Sequence, residues 1–526
     1  MSSAKRKRTS PRNDSADEDD DDTPVVALPT VDFFSARSEP PKPAVATAAH
    51  EEQEDEVESE PEDESTGPQS VPPISEDECR QILRSHRLKF SYLIADPTRP
   101  SRVEKKPRKR PRPLISFHEL RSLYGVPPQL CSNLASEGYK IPTEVQMASL
   151  PLLLRPGVAL REEENGGDLD QTRLAPNFMA VAPTGSGKTM SFLIPAVTNI
   201  LKRRQKEGLG HIHELEAVVI APTRELAFQI MNEGRKLVMG TGLRVVLMKK
   251  GMEVNAERSK AVSLSEDEGS GGEDNEMEDG DPSESENDVK SSKSAVAKPD
   301  ILITTPAPLL NFLTKHSKSP KVLPSVRTLV LDEADVLLDP IFIEQTAGVW
   351  SACTNPSLHL TFWSATMGSN IESLVQDRLE SGALAPRAAV RLVVGLKDTA
   401  VPNITHKLMY TASENGKLLA MRQLLRPRSL ADPSATPSAR HSYLHSGLSD
   451  GARASIMRRF RAGEIWVLIT TDVLARGVDF AGVNGIVNYD VPTSAAAYVH
   501  RAGRTGRAGR EGVSPLLSTL RMTSPL

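Results

Sequence analysis

The chain has 526 residues, room for about three domains. Its 64 Lys and Arg against 69 Asp and Glu give a formal charge of −5, which excludes a uniformly basic coat for nucleic acid. Apolar residues are only 38% and aromatics 4%, so part of the chain buries too little to fold. Three separated cysteines, Cys79, Cys131 and Cys353, exclude a disulfide scaffold or a zinc site. No apolar run reaches the ~18 residues that span a membrane, and the Lys5–Arg8 start lacks the apolar stretch of a secretory signal.

Residues 1–113 read as a disordered charged extension with acidic runs at Asp17–Asp22 and Glu51–Glu64. Its basic clusters, Lys5–Arg8 and Lys105–Arg112, fit nuclear import or nucleic-acid contact, or a solvated charge run. Ordered patterning begins near Phe117. Short apolar runs then precede helical patterns: Asn177–Ala182, Leu215–Ala221 before Arg224–Met239, Ile301–Thr305, Thr328–Ala334 and Leu358–Thr366. Continuous apolar strands alternating with helices predict a parallel sheet covered on both faces. Residues 259–297 are acidic and low in complexity, a loop inserted in a folded domain, and Arg161–Gln171 is a shorter polar excursion. A second strand-and-helix series begins near 388, with strands expected at Val390–Val394, His406–Tyr410, Trp466–Thr470 and Gly485–Asn488.

Three segments carry chemistry. Ala182-Pro-Thr-Gly-Ser-Gly-Lys-Thr189 follows a strand and opens a helix. Glycines 185 and 187 let the backbone N–H groups turn toward phosphate oxygens, and the helix N-terminus favours an anion. Lys188 can reach the outer phosphates and the Thr189 hydroxyl can ligate Mg²⁺. Asp332-Glu-Ala-Asp335 ends an apolar strand, with Asp332 suited to hold the metal and Glu333 to deprotonate the attacking water. His500-Arg-Ala-Gly-Arg-Thr-Gly-Arg507 offers planar guanidinium groups for developing phosphate charge, but in another lobe from Lys188. These arginines reach the phosphates only when the lobes close; the plainer reading is a basic patch for nucleic acid.

As an ordered set, these motifs resemble those of the DEAD-box ATP-dependent RNA helicases over about residues 114–513. The resemblance implies an α/β chain of two RecA-like parallel-sheet lobes that clamp single-stranded RNA and ATP. It divides the chain into the extension 1–113, a first lobe 114–395 and a shortened second lobe 396–526. Phe117 and Gly138–Gln146 resemble the adenine-reading Q motif, in which Gln146 bonds the base edge and Phe117 stacks on it or supports it. Thr184, Gly185, Ser186, Gly187, Lys188 and Thr189 then cradle ATP. Pro222–Ala227 resembles an RNA-backbone motif with Thr223 and Arg224 as contacts, and Thr305 belongs to a second. Ser364–Thr366 resembles the motif that couples ATP state to strand separation. In Thr470–Asp479, Thr471 and Arg476 face RNA and Asp479 the ribose, while Arg504 and Arg507 are the fingers. ATP and Mg²⁺ are the implied cofactors.

Further details resemble the nucleolar branch that serves small-subunit ribosome assembly: Phe342–Thr346, Ser351–Leu358, Gly416–Gln423, the wide spacing from Phe117 to Gln146 and the charged extension. That branch implies pre-rRNA or snoRNA duplexes as substrates, ribosome-assembly proteins as partners, a monomer, and a place in the nucleus and nucleolus. Three segments depart from the family. Thr305-Pro-Ala-Pro308 lacks the usual arginine. Arg426–Arg440, polar and Pro-rich, stands where a strand, an RNA motif and a helix belong, and the nearby Asp450-Gly-Ala-Arg453 keeps its arginine but not its glutamine. The chain ends about 19 residues after Arg507, with no recognisable last strand or helix. These gaps fit a faulty or alternatively spliced translation, or a divergent helicase. They leave a catalytically impaired RNA- or protein-binding scaffold as the alternative function. A DNA-translocating ATPase is disfavoured by the Q motif, and a P-loop metabolic kinase by the arginine-rich second lobe.

Overall fold

The computed structural model describes residues 74–94, 110–160, 176–209, 212–249, 252–254, 296–315, 321–381, 387–395, 403–425, 441–445, 447–472, 482–506 and 510–519. The first lobe is built on one eight-stranded sheet. In chain order its strands are β1 (Leu88–Ile94), β2 (Asn177–Val181), β3 (Ala217–Ile220), β4 (Val245–Leu247), β7 (Ile301–Thr304), β8 (Thr328–Asp332), β9 (His359–Ser364) and β10 (Ala389–Val394). The two-residue strands β5 (Glu253–Val254) and β6 (Val296–Ala297) pair with each other at the two ends of the acidic insertion. The sheet order is β1-β10-β2-β9-β8-β3-β7-β4, and every pairing is parallel except β1 with β10.

The central strands are buried along their whole length because both faces are covered. Alternation sends Phe178 and Ala180 of β2 into one core and Met179 and Val181 into the other. The first core receives the helices Glu144–Leu154, Lys188–Glu207 and Arg224–Leu237; the second receives Pro306–Thr314 and Ile343–Ala352. Burying each large apolar side chain contributes about 1.5–3 kcal/mol. Among the described residues no helix is long and apolar enough to cross a membrane.

Three expectations are corrected. Residues 74–94 are ordered, although the composition of 1–113 pointed to disorder. The helix Glu76–Ser85 opens with a capping box, Glu78 N–H to Ser75 Oγ at 3.2 Å and Ser75 N–H to Glu78 Oε2 at 2.8 Å. Leu88–Ile94 is apolar enough to pair with β10, and an average over a long acidic stretch hides it. Arg112, at the end of the second basic cluster, is buried beside Glu119 at 3.9 Å, which removes it from any exposed basic patch. The rest of 1–113 lies outside the described residues.

Second, Val390–Val394 does not open the second strand-and-helix series expected from about 388; it falls in the first lobe, in keeping with the division at 395. It lies in β10, between β1 and the phosphate-loop strand β2. Third, the C-terminal segment does hold a last strand, β14 (Gly512–Ser518), parallel to β11 (Ile404–Tyr410). On its other side β14 bonds residues 484–488: Ile486 N–H to Val513 O at 2.9 Å, Asn488 N–H to Pro515 O at 2.8 Å and Leu517 N–H to Asn488 O at 3.0 Å. Alternation calls for a donor at 515 on this side, and proline has none. Gly485 and Asn488 therefore make only isolated bridges where a full strand was expected. The remaining strands, β12 (His441–Leu444) and β13 (Val467–Thr470), form a separate parallel pair. The polar segment 426–440 lies outside the described residues.

Candidate nucleotide and RNA site

Apart from the Q motif, which lies on helices and loops before β2, the lobe-1 motifs leave the C-terminal ends of parallel strands and so share one edge of the sheet. The phosphate loop follows β2, Ser364–Thr366 ends β9, and Asp332–Asp335 ends β8; these three strands are consecutive. Thr223 and Thr305 follow β3 and β7, the next two. Strand order thus sets the segments expected to hold nucleotide directly beside those expected to hold RNA.

In the phosphate loop, Gly185 and Gly187 take φ of 75° and 91°, the left-handed region open to glycine. A Cβ on Gly187 would lie 2.6 Å from Gln146 Nε2 and 2.9 Å from Thr143 Oγ1. Ala182, where the motif usually has glycine, is buried and its N–H donates to Ser364 O at 2.9 Å. Lys188 folds back and donates to the Ala182 carbonyl at 3.0 Å. Thr184 and Ser186 line the loop half-buried, and Thr189 is half-buried in the first turn of the following helix.

Gln146 is buried in the helix Glu144–Leu154. Its Oε1 accepts from Thr143 N–H at 3.0 Å as a helix cap, and its Nε2 donates to the Gly187 carbonyl at 3.2 Å. The adenine-motif side chain therefore ties its own helix to the phosphate loop. Phe117 is buried edge-on to Tyr139, with ring centroids 6.2 Å apart.

Asp332 and Glu333 are each 4% exposed. Burial, then the neighbouring Glu333, pushes the Asp332 carboxyl above the usual carboxylate range. Glu333 sits at φ 50°, ψ 53°, a left-handed conformation that costs a non-glycine residue about 1–3 kcal/mol. Its Oε2 is buried without a hydrogen-bond partner. Two adjacent buried carboxylates, one with an orphaned oxygen, fit a divalent cation together with the Thr189 hydroxyl.

Sequence reasoning gave no role to Asp335 or His500, yet they form the tightest contact between the lobes. Asp335 accepts from Ser364 Oγ at 2.7 Å and Thr366 Oγ1 at 2.8 Å, and its Oδ2 lies 2.8 Å from His500 Nε2. Burial works against this carboxylate, but the bond and charge of His500 and the two hydroxyls outweigh it and hold its pKa low. Thr184 Oγ1 donates to the Gly503 carbonyl at 3.0 Å, and Arg453 lies 3.3 Å from Glu225. The signal for these contacts was present in the motif strings, but only tertiary structure pairs them.

On the RNA side, Thr223 Oγ1 caps its helix by accepting from Leu226 N–H at 3.3 Å, and Arg224 is half-buried beside it. Thr305 precedes the helix Pro306–Thr314, which tolerates proline in its first turn. Thr471 is exposed after β13. Arg504 is buried, donating from Nε to His500 O at 3.0 Å, one residue from the Thr184 contact. Arg476, Asp479 and Arg507 lie outside the described residues.

A phosphate loop and an acidic strand end, capped by a second lobe carrying histidine and arginine, define a two-lobed nucleotide hydrolase. The models for the DEAD/DEAH box helicase and for the helicase conserved C-terminal domain match residues 168–267 with 279–374, and 405–509. The chain is 51% identical to the ATP-dependent RNA helicase ROK1 of Gibberella zeae, covering 97% of this chain and 76% of that protein. It is 46% identical to ROK1 of Pyricularia oryzae, covering 97% and 78%. Among solved structures, S. cerevisiae Dbp5 bound to RNA and ADP BeF3 has TM-score 0.54 at 24% identity, over 77% of this chain and 90% of that one. Mss116p bound to ssRNA and AMP-PNP has TM-score 0.55 at 21% identity, over 79% and 76%; both likenesses concern the fold. The chain belongs to the DEAD-box family and is an ATP-dependent RNA helicase.

Proposed function

We propose that this helicase remodels pre-rRNA or snoRNA duplexes during assembly of the small ribosomal subunit, acting as a monomer in the nucleolus beside ribosome-assembly proteins. The supports are the branch-like segments Phe342–Thr346, Ser351–Leu358 and Gly416–Gln423, the charged extension, and the relatives named ROK1. Thr189 and Asp332 would hold Mg²⁺, which would neutralise charge at the phosphates. Glu333 takes the proton of the attacking water, Lys188 leaves the Ala182 carbonyl for a phosphate oxygen, and Arg504 meets the charge developing there. Thr223, Arg224, Thr305, Thr471 and Arg476 hold RNA through its backbone, so sequence preference is weak and binding falls steeply with salt.

The observation that carries the ATP-driven mechanism is the double contact between lobes, Thr184 to Gly503 and Asp335 to His500. Both join nucleotide-side residues of lobe 1 to the arginine-bearing segment of lobe 2. Two measurements test the reading: RNA-stimulated phosphate release by the chain beside Lys188→Ala, and crosslinking of the chain to RNA in cells. Crosslinks that avoid pre-rRNA and snoRNA sink the ribosomal role. A scaffold without turnover is the second reading, favoured by the two separate strand pairs among the described residues of lobe 2. It expects no hydrolysis by the folded chain with RNA.

A further inference from the structure

The segment Glu76–Ile94 precedes the stretch matched by the helicase models, yet it is built into the first lobe. Strand β1 closes the β10 edge of the sheet, with Leu88 opposite Val394, Phe90 opposite Leu392 and Tyr92 opposite Val390. All three β10 partners belong to the core that also holds Phe117, Tyr124, Val145 and Met147. Leu83 from the helix and Leu88 from the strand are buried in that same core. The strap thus completes the face of the sheet on which the Gln146 helix lies, and β10 is in turn the neighbour of the phosphate-loop strand.

Two further contacts point the same way. His86 Nδ1 lies 3.8 Å from Glu144 Oε1, at the first residue of the Gln146 helix. Gly395 N–H donates to the Arg87 carbonyl at 3.2 Å, which ties the turn before β1 to the end of β10. Gln146 itself can tolerate little movement. Both of its amide atoms are engaged, one on the helix cap and one on Gly187, and a shift of that helix changes both bonds together.

We propose that Glu76–Ile94 is a positioning element of the nucleotide site: docked on the β10 edge and against the start of the Gln146 helix, it sets the affinity and base selectivity with which Gln146 holds ATP. The proposal rests on Gln146 reading adenine. It assigns the segment a role in binding, not in the hydrolytic step. The strap contributes rigidity to the helix that carries the base contact, and it leaves the phosphate contacts of Lys188 and Thr189 in place.

The test uses the full chain carrying Leu83→Ala with Leu88→Ala, and measures binding of fluorescent ATP and GTP together with melting. The control is Leu309→Ala with Leu313→Ala, leucines also buried, in the core on the opposite face. In the strap pair ATP binding is expected to weaken about fivefold or more while GTP binding moves less than about twofold. The control pair loses comparable thermal stability with ATP binding unchanged, and Leu83→Met with Leu88→Met restores wild-type binding. If the strap pair leaves too little folded protein, Leu88→Val carries the test, with a shift of about twofold expected.

The proposal is overturned if strap and control pairs weaken ATP alike, or if ATP and GTP weaken alike in the strap pair. Gln146→Ala, measured alongside, separates the two readings. If it weakens ATP and the strap variants do not, only the strap role fails. If it leaves ATP binding unchanged, adenine reading by Gln146 fails and the strap role falls with it.

Discussion

The two lobes carry the same kind of motif on very different foundations. Lobe 1 has one continuous eight-stranded sheet with a large core on each face. The described strands of lobe 2 form two separate pairs, over clusters as small as Leu444 with Met457 and Ala420, Leu424 with Leu517. Apolar side chains that a full sheet would cover, such as Leu408, Tyr410, Tyr443 and Ile469, are exposed there. Lobe 1 can therefore fix the carboxylates of Asp332 and Glu333 by its own packing, even with Glu333 in a strained conformation. Lobe 2 presents His500, Gly503 and Arg504 on a helix end that is anchored as much by lobe 1 as by its own core. Arg501 adds a local brace, joining Asp472 at 2.8 Å to the Asp490 carbonyl at 2.6 Å.

The difference can be broken at several points. The largest effect falls on lobe-1 chemistry. Glu333→Gln is expected to lower RNA-stimulated hydrolysis by roughly 10²–10⁴-fold with nucleotide binding retained. Phosphate release and nucleotide binding measured on one preparation check this, and a rate within a few-fold of wild type removes Glu333 from the base role.

Next comes lobe 2's thin core. Leu517, fully buried, is among the few large side chains it has. Leu517→Ala is expected to cost about 2–4 kcal/mol and to lower a separate, earlier melting step. The same change at Leu329 in lobe 1 should leave that step alone. A single transition for both variants means that the lobes melt as one unit and that the contrast between them is structural only.

The contact between lobes gives the third test. A Cβ on Gly503 would clash with Thr184 Oγ1. Gly503→Ala is expected to reduce RNA-stimulated turnover by about tenfold, near 1.4 kcal/mol, without changing nucleotide affinity of the open chain. Unchanged turnover places the working closed state elsewhere.

The fourth test concerns pH. Burial holds the His359 imidazole down to about 4, while its Nε2 lies 2.7 Å from the Pro176 carbonyl. A histidine held neutral in the fold favours the unfolded chain once protons bind there. Its stabilising contribution is therefore present above the ordinary histidine pKa of about 6.5 and lost progressively as pH falls from there toward about 4. Lobe-1 melting should drop between about pH 7 and 5, and His359→Gln should flatten that slope. An equal slope in both proteins assigns the effect to other groups.

Much of the site was legible because its residues are local in sequence. A strand, a glycine turn and a helix start mark the phosphate loop within 177–189. An apolar strand ending in Asp332-Glu333 does the same for the acidic pair. Gln146 was legible as a motif, but its grip on the Gly187 carbonyl joins two segments 41 residues apart in the chain, and no periodicity reports that.

The sequence by itself determined the two-lobe class, the order of motifs and the residue types that handle phosphate, since each depends on neighbours a few positions away. Tertiary structure alone decided three things. Glu76–Ile94 joins the first sheet although its surroundings are acidic and polar, because edge pairing with β10 rewards seven residues whatever flanks them. Gly512–Ser518 is a strand because β11 lies beside it, even with Pro515 at its centre. His500 meets Asp335 across 165 positions because the closing of two lobes brings them together, and local sequence carries no record of that distance.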